Sequence, residues 1–211
     1  MTVALESRAL TKRYGRRKAL SDCDLSLPAG RIAGLVGPNG AGKTMLLHLA
    51  VGLLAPTSGS IEVLGERPAS NPAQLARMGF VAQEAPAYSG PNVADHLKLG
   101  ARLNPGWDAQ LAGRRIADLG LDLRQKAGKL SGGQRAQLAL TLAIAKRPEF
   151  LILDEPVASL DPLARREFLQ AADDTQVAHR SAVRFRQPSR GLAGHLRQPY
   201  RPAEHADDPK R

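Results

Sequence analysis

A lysine and a threonine closing a glycine-rich run, Gly37-Pro38-Asn39-Gly40-Ala41-Gly42-Lys43-Thr44, are the residues best suited to chemistry in this chain. The pattern G-x-x-x-x-G-K-[ST] reads as a phosphate-binding loop when a strand precedes it and a helix follows. Both flanks fit: Ile32-Ala33-Gly34-Leu35-Val36 is an apolar run, and Met45-Leu46-Leu47-His48-Leu49-Ala50 is a good helix former. The glycines let the backbone bend until successive N–H groups face one anion. The helix that opens at Lys43 adds its positive dipole end. Lys43 would reach the β- and γ-phosphates of a nucleoside triphosphate, and the Thr44 hydroxyl would hold Mg²⁺.

A second chemical group is Asp154-Glu155, which follows the wholly apolar Phe150-Leu151-Ile152-Leu153. Such a run is expected to be a buried parallel strand, and ligands bind at the carboxyl ends of strands in open α/β sheets. Asp154 is suited to orient Mg²⁺ or its waters, and Glu155 to polarise an attacking water as general base. The third is Leu130-Ser131-Gly132-Gly133-Gln134. Serine caps a helix, and the two glycines leave backbone open to an anion. One nucleotide pocket has no use for a second phosphate site. A dimer explains it, with this motif covering the γ-phosphate held by the partner's Lys43 loop.

The elements that must position these residues follow from periodicity and turn chemistry. Residues 3–10 read as a strand, 11–15 as a turn, and 19–27 as a second strand closed by Pro28-Ala29-Gly30. A helix runs from Thr44 to about Gly52, a turn spans 56–59, and strands cover 60–65 and 79–82, the last ending at Gln83. Apolar residues at helical spacing in 92–103 and 108–119 predict a helical insertion between strands of the core sheet. Helices are also expected from Gln134 to about Lys146 and over 162–172.

The chain resembles the ATPase subunit of an ATP-binding cassette (ABC) transporter. The likeness rests on the Gly37 to Thr44 loop, Asp154-Glu155 and above all the Leu130 to Gln134 signature, and it extends over residues 3–172. The resemblance implies an α/β fold: a P-loop NTPase (RecA-like) core, an N-terminal antiparallel β region and a helical subdomain at about 85–146. It also implies ATP and Mg²⁺ as ligands. Tyr14 would stack on adenine; Gln83 would contact Mg²⁺ and water; Ser159-Leu160-Asp161 would link two active sites in a dimer. Residues 85–107 would dock on separate transmembrane subunits, with Trp107 serving either there or as a core aromatic. The implied partners are those subunits and a second ABC ATPase, identical or homologous. The implied location is the cytoplasm, peripheral on the inner face of the membrane. The style of residues 156–166 is that of bacterial export-type ATPases.

The family pattern then breaks. An apolar strand ending in a γ-phosphate histidine should follow Glu155, yet no strand-like apolar run is evident after Leu169. None of His179, His195 and His205 follows a strand-like run. The 173–211 tail is rich in arginine and proline and poor in β-branched residues, a composition that favours disorder. It reads as a basic extension binding anionic lipid or nucleic acid, as an authentic divergent ending, or as peptide translated out of frame from about 170–179. The abruptness of the break favours the last. Loss of the final strands would strip an edge from the core sheet and spare ATP binding more than hydrolysis.

Composition bounds the alternatives. The 211 residues carry a net charge of +10 and are 43% apolar. After residue 176 stand eight basic and three acidic residues, half of the net excess, so the charge says little about the body and nucleic acid is not expected as a partner. No apolar run approaches the roughly 18 residues of a membrane span, and the N-terminus lacks signal-peptide features. Cys23 is the sole cysteine, which excludes an intrachain disulfide. The leading expectation is therefore an exporter ATPase. A soluble nucleic-acid-associated ATPase and a hydrolysis-defective nucleotide-binding protein are the alternatives.

Overall fold

Two twelve-residue strands joined by a glycine turn make the first hairpin. The computed structural model describes residues 2–38, 40–83, 87–154 and 181–185. Strand β1 (Val3–Tyr14) pairs antiparallel with β2 (Arg17–Pro28) around Gly15, whose φ is +56°. On its other edge β1 pairs with β4 (Ser58–Val63), giving the order β2-β1-β4. The expected turn at 11–15 is thus a turn at Gly15-Arg16 alone. Lys12, Arg13 and Tyr14 stay extended because each has a register partner on β2, Leu20, Lys18 and Arg17 respectively. Cross-strand pairing holds the two basic residues extended against their weak strand preference, while Tyr14 is itself a strand-favouring residue. Strand β4 starts within the expected 56–59 turn. Its Gly59 (φ +77°) lies so close to β1 that a Cβ there would sit 2.3 Å from the Ala9 carbonyl oxygen.

The second sheet is wholly parallel and carries the chemistry. Its order is β3-β7-β6-β5, formed by β3 (Ile32–Leu35), β5 (Met78–Val81), β6 (Phe150–Leu153) and β7 (Ser181–Phe185). All four residues of β6 are buried, as a strand covered on both faces requires. Strand β7 corrects the sequence reading in two respects. A strand does occur after Leu169, and it lies between β3 and β6 rather than at an edge, with Leu35 beside Phe185 and Leu153 beside Arg184. Residues 181–185 therefore belong with the core sheet and not with a separate 173–211 tail. The signal was hidden because Ser181 and Arg184 interrupt the apolar pattern, while an interior slot offers hydrogen bonds on both sides to any extended backbone.

Helix α1 (Lys43–Ala50) buries Leu46, Leu47 and Leu49 in a cluster shared by both sheets, together with Phe150, Ile152 and Met78. Helix α2 (Pro72–Ala76) was not expected from periodicity. Its start is nonetheless written locally, with the Asn71 side chain accepting from the Gln74 N–H and proline at the first turn. Helices α3 (Val93–Leu103), α4 (Ala109–Asp118) and α5 (Gly132–Ala145) confirm the expected helical stretches. Asn92 and Asp95 form a capping box on α3, and Asp108 caps α4 through the Leu111 N–H. These helices share their own cluster of Val93, Ile116, Leu121, Ala127, Leu130 and Leu138. Trp107 lies against α3, where a Cβ on Gly100 would come within 2.5 Å of the indole ring.

Phe150 is fully buried in the cluster that β6 shares with α1 and Met78. Phe150→Ala is expected to cost about 3–5 kcal/mol of stability. The check is a lowered urea midpoint at unchanged slope.

Candidate nucleotide-binding site

Because β3, β5 and β6 are parallel, the residues that follow them gather at one edge of the sheet. Strand β3 feeds the glycine loop, β6 delivers Asp154, and β5 leads to Gln83. Gly42 is the N-cap of α1 in the left-handed region (φ +83°), and a Cβ there would sit 2.6 Å from the Ala19 carbonyl oxygen. The Lys43 ammonium donates to the carbonyls of Gly37 (2.8 Å) and Pro38 (2.6 Å), so it lies across the loop's own mouth. The Thr44 hydroxyl donates to Asp154 Oδ1 at 3.4 Å. Asp154 is only 1% exposed. Burial pushes its carboxyl above the usual carboxylate range, opposed by the Thr44 hydrogen bond and by His48 and Lys43.

Lys43 and Thr44 line a cleft of about 660 Å³. Gly40, Gly42, Lys43, Thr44 and Met45 form one side, with Gln83 at the β5 end. The other side is the β1–β2 hairpin, through Tyr14, Arg17, Lys18 and Ala19. Tyr14 is 51% exposed, its hydroxyl lies 3.8 Å from the Met45 sulfur, and the Lys12 ammonium stands 5.3 Å from its ring centroid. Arg17 and Lys18 escaped the sequence reading. The available signal was the basic run on both sides of Tyr14, Lys12-Arg13 and Arg16-Arg17-Lys18.

Ser131 caps α5 in a capping box: its hydroxyl accepts from the Gln134 N–H at 3.1 Å, and Gln134 Oε1 accepts from the Ser131 N–H at 2.9 Å. Gly132 has open space where a Cβ would stand, and the first-turn N–H groups of Gly132 and Gly133 have no intrahelical acceptor. None of Ser131, Gly132, Gly133 and Gln134 lines the cleft that holds Lys43.

A sequence profile described as "ABC transporter" matches residues 20–158. The chain belongs to the ABC transporter family. Among curated relatives, the sulfate/thiosulfate import ATP-binding protein CysA of Methylococcus capsulatus is 36% identical over 176 residues, 78% of this chain and 50% of that protein. A CysA of Rhizobium meliloti is 38% identical over 168 residues, 75% of this chain and 46% of that protein. The chain thus spans about half the length of the curated relatives it matches. Two solved structures share the fold. One, titled as the ATP-binding subunit of an ABC transporter, superposes with a TM-score of 0.77 at 24% identity, covering 87% of this chain and 79% of that one. The other, a bacterial Atm1-family ABC exporter with ATP bound, gives 0.75 at 23% identity, covering 87% and 34%. The curated relatives are named for import, so they do not match the export type expected from residues 156–166.

The region of the ABC match includes the glycine loop, the Ser131 motif and Asp154-Glu155, and it leaves Tyr14, Asp161 and β7 outside. Asn39, Glu155, Asp161, the three C-terminal histidines and the expected 162–172 helix lie outside the described residues. Those present fit MgATP. Thr44 and Asp154 offer hard oxygen donors close together, and Mg²⁺ needs few protein ligands when phosphates and water complete its shell. Among the described residues no cluster of three or more His, Cys, Asp or Glu offers an all-protein metal cage. The cleft falls in the size range of small-molecule sites, with Tyr14 and the glycines of the loop both in its lining.

Proposed function

We propose that this ABC cassette binds MgATP and is the nucleotide-hydrolysing subunit of a membrane transporter, acting as a dimer. One observation carries the reading: Tyr14, Lys43, Thr44 and Gln83 line a single cleft whose threonine is bonded to the buried Asp154. Tyr14 stacks on the base, and the loop N–H groups of residues 37–44 with Lys43 bind the phosphates. Thr44, Asp154 and Gln83 would hold Mg²⁺, whose charge would offset that on the transferring phosphoryl group. Glu155 polarises the attacking water.

The Ser131 motif stands apart from its own cleft while keeping two first-turn N–H groups available. Its use is therefore in trans, on the γ-phosphate in the cleft of a second cassette, identical or homologous, with Asp161 coupling the two sites. Closure on ATP and opening after hydrolysis would be passed on by the region containing α3 and α4 to separate transmembrane subunits, placing the chain peripherally on the cytoplasmic face. No helix among the described residues is long and apolar enough to cross a membrane, in keeping with a pore supplied by other chains. The import names of the curated relatives remove the support for an export direction, and the proposal carries none.

A second reading, binding without efficient turnover, has its own observation. Strand β7 lies between β3 and β6, and the family resemblance asks for the γ-phosphate histidine as the residue after such a strand. That residue is Arg186, followed by Gln187 and Pro188, and the next histidine in the sequence is His195. ATP binding and turnover on the purified chain decide between the readings, with Glu155→Gln as the chemistry control. Turnover at least about 100-fold above that control is expected of the hydrolysing subunit. Turnover equal to it, with ATP still bound, would establish the second reading.

A further inference from the structure

The hairpin wall of the cleft holds a charged residue that the nucleotide-site reading does not use. Tyr14 and Arg17 are register partners across the β1–β2 turn, so their side chains leave the same face of the sheet about 5 Å apart. Two residues further along β2, where the register with β1 shifts, the Ala19 carbonyl oxygen abuts the phosphate loop at Gly42. Strand β2 thus runs from the aromatic platform to the N-terminus of α1, and Arg17 comes first along that path. A nucleotide with its base on Tyr14 and its outer phosphates at Lys43 must carry its ribose and first phosphate past this wall.

Lys18 also lines the cleft, but its ammonium is directed to the Ser21 hydroxyl (3.2 Å) and to Asp22 (3.9 Å). Arg17 forms no ion pair among the described residues. Residues 12–18 hold Lys12, Arg13, Arg16, Arg17 and Lys18 and no acid. The local field therefore draws anions to the hairpin tip. Guanidinium is the group best matched to a phosphate's paired oxygens.

We propose that Arg17 is a nucleotide-binding residue that holds the α-phosphate, supplying affinity common to ATP, ADP and AMP. The inference rests on the nucleotide-site reading and adds to it a side-chain contact beside the backbone N–H groups of the Gly37 to Thr44 loop.

The test measures dissociation constants of ATP, ADP, AMP and adenosine for the full chain, Arg17→Ala, Arg17→Lys and Lys43→Ala, with AMP and adenosine followed by displacement of a fluorescent ATP analogue. Loss of one charge-assisted contact predicts that Arg17→Ala weakens AMP, ADP and ATP alike by roughly tenfold or more, and adenosine not at all. Arg17→Lys should recover part of the loss, and the deficit should shrink as salt rises. Lys43→Ala should weaken ATP and ADP while sparing AMP. Unchanged AMP binding in Arg17→Ala overturns the assignment, and so does an equal loss for adenosine, which would place the effect on the Tyr14 platform. A wild-type chain that binds none of the phosphates sinks the nucleotide reading itself, a result distinct from wild-type binding that Arg17→Ala leaves intact. Arg17 is exposed at a hairpin tip, so an unchanged melting temperature will show that Arg17→Ala remains folded.

Discussion

Lys43→Ala is expected to lower ATP affinity by about 100-fold or more, the sum of at least two charge-assisted contacts to phosphate. The structure adds a second cause. The ammonium donates to the carbonyls of Gly37 and Pro38, so the lysine both braces the loop and stands where it can be handed to an entering phosphate. Exchange of those two carbonyls for phosphate oxygens replaces neutral acceptors with charged ones, which makes binding favourable without reorganising the chain. Lys43→Arg should not restore affinity, because a planar fork cannot occupy the space of a compact ammonium between two carbonyls. Calorimetric titration gives the affinity directly. A parallel check is the ATP-dependent rise in melting temperature, which wild type should show and the alanine variant should lack at the same ligand concentration. A variant that binds ATP within a few-fold of wild type would remove Lys43 from the phosphate site.

Much of this site could be read from residue types because its chemistry is local. The residue choices of the eight-residue glycine loop, the Ser131–Gln134 capping pair and the apolar run before Asp154 each encode their own backbone, and the structure shows the helix opening at Lys43, the capping box and the buried strand as expected. What periodicity missed depended on neighbours distant in sequence. Residues 12–14 look like turn residues until β2 pairs with them. Ser181–Phe185 looks like no strand at all, since its residues become strand by filling a slot between β3 and β6 that only the assembled sheet creates. Arg17 and Lys18 carry no motif, and only the closure of the hairpin onto Gly42 makes them walls of the cleft. The residues with the clearest chemical signature were therefore legible, and those whose role comes from tertiary placement were not.

Asp154→Asn should separate function from stability. Its carboxylate is the charged oxygen donor at the end of β6, and its loss is expected to reduce Mg²⁺-dependent turnover by roughly 10²–10³-fold, the scale of one preorganised electrostatic contact. Asparagine keeps the volume and an oxygen that can accept from Thr44, so the edge of the sheet should survive. The nucleotide-free variant should also be more stable than wild type at neutral pH. Burial raises the folded-state pKa of Asp154 above its unfolded value, which means that the ionised form is the one penalised by folding. Below the unfolded value of about 3.9 the group is protonated in both states and the penalty is absent. As pH rises through the interval up to the raised pKa, the folded chain retains its proton while the unfolded chain gives it up, and stability is lost. Above the raised pKa wild type carries the full penalty, whereas asparagine carries none at any pH. Melting curves of the two proteins without nucleotide should therefore diverge as pH rises from about 4 to 7, with the variant higher. A variant that melts lower at neutral pH would show that the ionised carboxylate is stabilised by its surroundings, and that Thr44, His48 and Lys43 together outweigh its burial.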